Sequence, residues 1–266
     1  MATQSTPTEG TVHGNGLLVR LRPIAFIVLL LVLWHVAIHR QEARLLPDPG
    51  QVLGGFLELI QRGLLLRYVV ASLFRVTWGF TLAALIAIPA GLTIGWYRRL
   101  DMSLNPLIQI LRPISPLAWI PISILWFGVG DVAAIYLIFL ASLLPLTATA
   151  INAVGSIPEV HINAGRNFGL STWGLVFRVL LPVVVPQLII GLRITLGIAW
   201  LVVVAAEMIA VNSGLGFLIV DARNAGNRYD LVVAGMVSIG VIGLMLDTGM
   251  RSLEKVRAFR WGYSED

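Results

Sequence analysis

The sequence predicts an all-α integral membrane protein, and three observations predict it. Hydrophobic residues make up 57% of the chain, charged residues only 12%, and the mean hydropathy is +0.86. A soluble domain carries roughly 25% charged residues, and a chain this apolar would expose large adhesive patches in water. The 266 residues are read as one membrane domain. There is no cysteine, so disulfides, thiolate metal sites and cysteine nucleophiles are excluded together, and the redox compartment stays open. The net charge of +5 could suggest nucleic acid, but the arginines lie in short segments beside apolar runs, the pattern of membrane orientation.

Taken in order, residues 1–22 form a polar tail, rich in Ser, Thr, Gly and Pro over residues 1–16 and read as disordered there. The apolar run Pro23–Ile38 is read as a retained first span within 23–40, because no small-residue cleavage pattern follows; His39, Arg40, Glu42 and Arg44 fit an exit into water instead. Within the segment 41–72, Pro47–Arg67 has apolar residues at helical spacing and is expected to be an interfacial amphipathic helix. Leu73–Trp96 is span two, closed by Tyr97, Arg98, Arg99 and Asp101. Leu104–Phe127 is span three, repeatedly broken by Pro113, Pro116 and Pro121, so its backbone must be buried in protein or line a cavity. Gly128–Asp131 is a tight turn, Val132–Ala153 span four, Pro182–Val211 span five, Asn212–Asp230 a polar loop, and Leu231–Met250 span six, completing a core over 73–250 before the tail 251–266. With both termini inside, ten basic residues fall on inner segments and seven on outer ones, with Arg112 and Arg193 left in spans.

The polar stretch Ser156–Pro182 stands apart from these runs. Ser156 and Glu159 have capping-box spacing, Pro158 suits a first helical turn, Gly169 a left-handed stop, and Ser171 a second N-cap. Two short helices over 156–181, hinged at one glycine and facing water between spans, read as a docking element for another protein. The only lysine, Lys255, sits in E-K-V and not in the G-x-x-x-x-G-K-[ST] phosphate loop of an ATPase, so no ATP-hydrolysing site is expected in this chain. H-E-x-x-H, G-x-S-x-G and clustered carboxylates at metal spacing are also absent from the sequence, which argues against a membrane enzyme and a metal site.

Further residues now acquire a context. Asn163-Ala164-Gly165 followed by Gly169, then Leu180-Leu181-Pro182, resembles the E-A-A-x-x-x-G-x(9)-I-x-L-P loop motif of membrane subunits in binding-protein-dependent ABC importers. The spacing fits; Asn163 replaces the usual glutamate and Gly165 the usual alanine. RPISPLAWIPISILWFGVG (112–130), GLRITLGIAWLVVVAAEM (191–208) and NSGLGF (212–217) are similar to the taurine, alkanesulfonate, nitrate and bicarbonate branch, and the resemblance covers roughly residues 45–255. It implies a type I ABC importer (MetI-like) permease fold of about six transmembrane helices plus cytoplasmic coupling helices. Two copies of the permease would pair as a homodimer, two cytoplasmic ATPase subunits would hold ATP and Mg, and a periplasmic or lipid-anchored solute-binding protein would deliver a small oxyanion. No cofactor is implied in this chain itself. The location implied is the bacterial inner membrane. His161, Asn163, Ala164, Gly165, Arg166, Asn167, Phe168, Gly169 and Pro182 would then form the ATPase-coupling element.

Arg112 admits two readings: an anion contact on the path, or a side chain snorkelling to the interface. Ser115, Trp119 and Ser123 follow at spacings of three to four, as donors lining a path or as packing. Trp200 is a gate or a packing residue. Arg193 and Glu207 lie 14 residues apart, about 21 Å along one helix, and cannot pair. Each therefore needs a partner from another span or subunit: Glu207 is read as lining the path or as half of a buried ion pair that fixes helix packing, and Asp247 is the candidate structural ion-pair partner for Arg193. His35 and His39 are read as interfacial. The competing class is a passive channel or structural membrane protein, separated from an importer by whether an ATPase and a secreted binding protein are encoded beside it.

Overall fold

The computed structural model describes residues 16–39 and 46–254, so residues 1–15 of the expected tail, Arg40 to Arg44 and Lys255 lie outside them, whereas 16–22 are already helical in α1 and not tail. The elements are α1 (Gly16–His39), α2 (Pro49–Gln61), α3 (Leu64–Trp96), α4 (Arg98–Leu111), a 3-10 turn (Pro116–Trp119), α5 (Ile120–Phe127), α6 (Asp131–Gly155), α7 (Glu159–Asn167), α8 (Thr172–Leu175), a π-turn (Val176–Leu180), α9 (Leu181–Ala210), α10 (Leu215–Asn224) and α11 (Tyr229–Glu254). Among the described residues four helices are long and apolar enough to cross a membrane, Leu64–Trp96, Asp131–Gly155, Thr172–Ala210 and Tyr229–Ser252. A fifth crossing arises if α4 and the Pro116–Phe127 segment, bent by 82° at their junction, count as one broken span. α1 overlaps the expected first span, but its described apolar stretch, Val28–Ile38, is too short to count among these crossings.

Local chemistry sets the breaks. Asp48 caps α2, accepting from the Gly50 amide while the Gln51 side chain accepts from the Asp48 amide, and Pro49 occupies the first helical position. Gly63, at φ +67°, then separates α2 from α3, so residues 64–67 belong to the long helix and not to the interfacial one as the sequence suggests. Where a polar loop is expected after residue 212, α10 forms instead, because Leu215, Leu218 and Ala222 recur on one buried face.

The core is the α3–α6–α9 triplet. On α3, Gly79, Ala83, Ala87, Gly91 and Gly95 recur every four residues and let α6 approach to backbone contact. A Cβ on Gly79 would stand 2.7 Å from the Ile138 Cβ, one on Gly91 2.6 Å from that of Ala150, and one on Gly95 2.9 Å from that of Val154. On α9, Gly191 meets Thr149 of α6 in the same way. Val76, Leu137, Ile138, Val203 and Leu215 fill one end of this core, and Ala150, Val154, Ile157, Leu180 and Val184 the other.

Candidate functional site

At the first of these ends the interior is ionic. Arg75 is 1% exposed and Glu207 0%, on α3 and α9. Arg75 Nη1 donates to Glu207 Oε1 at 2.6 Å and to the Ser213 carbonyl at 2.8 Å, its Nε to Asp131 Oδ1 at 2.8 Å, and its Nη2 to the Ser213 hydroxyl. The other Glu207 oxygen accepts from Ser72 Oγ and the Gly216 amide, both at 2.9 Å, and Ser72 Oγ in turn accepts from the Leu215 amide at 3.0 Å. A carboxylate taken out of water is tolerated when it is paired and hydrogen-bonded, and this one accepts from three donors across its two oxygens. The loop can close over it only with glycine: a Cβ on Gly214 (φ +106°) would overlap the Glu207 carboxyl, and one on Gly216 the Val204 carbonyl. Asp131, 57% exposed, is the one open member of the cluster.

The partner that Glu207 requires is thus Arg75, a residue that sequence patterning alone did not single out. Its signal was available: Arg75 is the one ionisable residue between Leu73 and Trp96, and it continues the four-residue stripe one step beyond Gly79. Glu207 is consequently enclosed within the chain, in the buried ion pair that fixes α3 against α9. Two other residues, each read either as path-lining or as packing, are buried as well. The Ser123 hydroxyl is buried and donates to the Ile120 carbonyl at 2.9 Å, and buried Trp200 donates from Nε1 to the Ile239 carbonyl at 3.1 Å, its ring seated over Gly243. Arg112 and Ser115 are exposed at the break between α4 and the 3-10 turn, which the Ser115 hydroxyl caps by accepting from the Leu117 amide at 3.3 Å, and Trp119 is half-buried. Arg193 Nε lies 2.6 Å from Asp247 Oδ1 and Nη2 3.2 Å from Oδ2, joining α9 to α11.

At the opposite end the stretch 156–181 is a helical hairpin. α7 ends in a Schellman motif: Leu170 N donates to Gly165 O at 3.1 Å and Gly169 N to Arg166 O at 2.9 Å, with Gly169 at φ +74°. Ser171 caps α8 by accepting from the Gly174 amide at 3.2 Å. Three expectations need correction. Ser156 is not an N-cap: it terminates α6, and its hydroxyl donates to the Ala153 carbonyl, while Pro158 fills the cap position of α7 without a side-chain bond. Gly165 faces inward, where a Cβ would meet Leu175 Cδ2 at 2.6 Å, so it is where α7 rests on the second helix and not part of the outward surface. Nor does Pro182 begin a separate span, because α8, the π-turn and α9 form one 39-residue helix. His161, Asn163, Ala164, Arg166, Asn167 and Phe168 face outward, Phe168 at 87% exposure, beside Val160 and the stacked pair Trp173 and Phe177.

Over residues 79–257, which include the bent α4 segment and the capped polar hairpin, the chain matches the family model described as binding-protein-dependent transport system inner membrane component. The chain belongs to that family. It is therefore a permease subunit of an ABC importer, a multi-pass membrane protein of a class that works with ATPase and substrate-binding partners. It is 38% identical to a putative ABC transporter permease of Methanocaldococcus jannaschii over 90% of this chain and 91% of the relative. It is 36% identical to the taurine transport system permease of Escherichia coli K12 (86% and 85% covered) and 35% to the nitrate import permease of a Synechocystis strain (89% and 88%). Among solved structures, a chain of the MetNI methionine ABC transporter in inward-facing conformations superposes with a TM-score of 0.64, at 20% identity, over 72% of this permease and 95% of that chain. The fold is thus that of a MetI-like permease.

Proposed function

We propose that two copies of this permease pair in the bacterial inner membrane, with both termini cytoplasmic, and form the path for a small oxyanion of the taurine or alkanesulfonate, nitrate or bicarbonate class. A solute-binding protein delivers the anion to the outer end, where Asp131 and α10 lie, and two ATPase subunits carrying ATP and Mg dock on the α7–α8 hairpin. The observation that carries this reading is the hairpin surface: Val160, Phe168, Trp173 and Phe177 are each exposed on the same hairpin as exposed His161, Asn163, Arg166 and Asn167, with Trp173 and Phe177 stacked. An apolar group of this kind rimmed by polar residues marks a protein interface. Energy enters through the partner, because Lys255 has no phosphate loop around it. Arg112 and Ser115, exposed at the proline break, are the groups of the path best suited to a passing anion.

The test is reconstitution of the permease with the ATPase and binding protein encoded beside it. ATP-dependent uptake of labelled taurine, nitrate or bicarbonate is expected. An assembled, ATP-hydrolysing complex that moves none of them overturns the substrate class, and a permease that retains no ATPase on purification overturns the coupling.

A further inference from the structure

The two helices of the hairpin are tied to the bundle in unequal ways. α7 rests on its neighbour through Gly165, against Leu175 and Val179, whereas α8 runs directly into α9 through the π-turn. There the Leu181 amide donates to the Val176 carbonyl, five residues back and not four, so the turn holds one residue more than an α-helix would. Pro182 follows with no N–H to offer, and its ring would press on the Arg178 carbonyl in unbroken α geometry; widening the turn relieves both. Beneath the turn lies a crevice walled by Trp96, Ile157, Ile162, Leu175, Val179 and Leu180, apolar throughout and too narrow for water. Surfaces that meet only through hydrocarbon can slide without breaking hydrogen bonds.

We infer that the π-turn Val176–Leu180 is the mechanical joint of the hairpin, exchanging between π and α registers as the partner ATPase closes. The inference rests on the coupling reading above. In the α register the extra residue passes to the Gly169–Ser171 link, turning α8 by about 100° and displacing it by about 1.5 Å along the α9 axis. Pro182 keeps the two registers close in free energy, because it removes the hydrogen bond that would otherwise favour α. Its role is to position the hairpin, without contact to nucleotide or anion.

The chain has no cysteine, so paired labels can be introduced without background. Thr172→Cys with Ile190→Cys brackets the joint at two exposed sites, and spin-label distances are measured in the full complex with ATPase and binding protein, nucleotide-free and ATP-trapped. A shift of several ångström between the two states is expected. Pro182→Ala restores the missing donor and should abolish that shift and lower uptake about tenfold while the ATPase still co-purifies. Equal distances in both states, or Pro182→Ala with normal uptake, overturns the joint. Loss of the ATPase from the otherwise wild-type permease overturns the coupling reading itself, a different result.

Discussion

Arg75 and Glu207 meet 2.6 Å apart inside the bundle, from helices whose sequence positions are 132 residues distant. Glu207 is fully enclosed and Arg75 almost so, and both are held by neutral donors and acceptors as well as by each other. Breaking a buried pair by deleting one partner strands the other charge. Arg75→Met and Glu207→Met should each destabilise the permease by about 3–5 kcal/mol, and the double substitution by less than the sum. Thermal unfolding of the detergent-solubilised variants checks this; additive losses would mean the two charges act independently.

The glycines over this pair are discriminating probes. Gly216→Ala drives a Cβ into the Val204 carbonyl, which is backbone and cannot swing away, and Gly214→Ala combines overlap with Glu207 and an unfavourable φ of +106°. Losses of about 1–3 kcal/mol each are expected. Gly197→Ala, in the same α9 but facing open space, should be neutral or stabilising by about 0.5–1 kcal/mol. The same unfolding measurement ranks all three.

Along the α3–α6 seam, Gly91→Ala forces Cβ atoms to 2.6 Å from Ala150 and from the Thr147 carbonyl. A destabilisation of about 1–3 kcal/mol should result, whereas Gly54→Ala on α2, with no neighbour within 4 Å, should raise stability slightly. Melting temperatures moving in opposite directions would check the seam.

In the hairpin, Gly169→Pro cannot adopt the left-handed stop after α7, since a φ of +74° is closed to proline. That variant should insert normally yet fail to retain the ATPase. Phe168→Ser, at a fully outward side chain, should leave the melting temperature unchanged and weaken ATPase retention. Unimpaired uptake in the Gly169→Pro variant would remove the hairpin from coupling.

Outside the spans, Arg228 donates to Glu58 at 2.6 Å, and Arg62 lies 2.8 Å from the same carboxylate, joining α2 to the link before α11. The Arg228 hydrogen bond holds the Glu58 carboxyl below its ordinary 4.5, while the same contacts, Asp230 first, raise the Arg228 guanidinium. A depressed carboxylate adds stability that is complete above the unfolded value and is lost as pH falls through the folded one. Amide protection in α2, corrected for the intrinsic exchange rate at each pH, should therefore fall only below about pH 4.5, and Glu58→Gln should lower it already at neutral pH and weaken its acid dependence.

Most of the bundle was legible because spans announce themselves by apolar length, and the hairpin by Gly169 and Ser171, whose conformational roles are local. Three things were not. The split at Gly63 lies inside a continuous apolar pattern, so periodicity ran across it. The enclosure of Ser123, Trp200 and Glu207 depends on which face of each helix meets its neighbours, and in a membrane helix both faces are apolar, so sequence gives no inside. Arg75 found its partner through tertiary packing of α3 against α9, and Gly165 its inward orientation through Leu175 on the next helix. Asn163 replaces the glutamate usual in the loop motif and remains outward, so the surface expected to meet the ATPase lacks that charge.

The Arg75 cluster also bears on how the chain is made. Arg75 enters the membrane when its principal partner is still 132 residues from being synthesised, an interval on the order of ten seconds at ordinary elongation rates. Asp131, only 56 residues later, is the first carboxylate to reach it. The hydrogen-bonded cluster can therefore close only after Glu207 and the Ser213–Gly216 loop have been made, late in synthesis of the permease core.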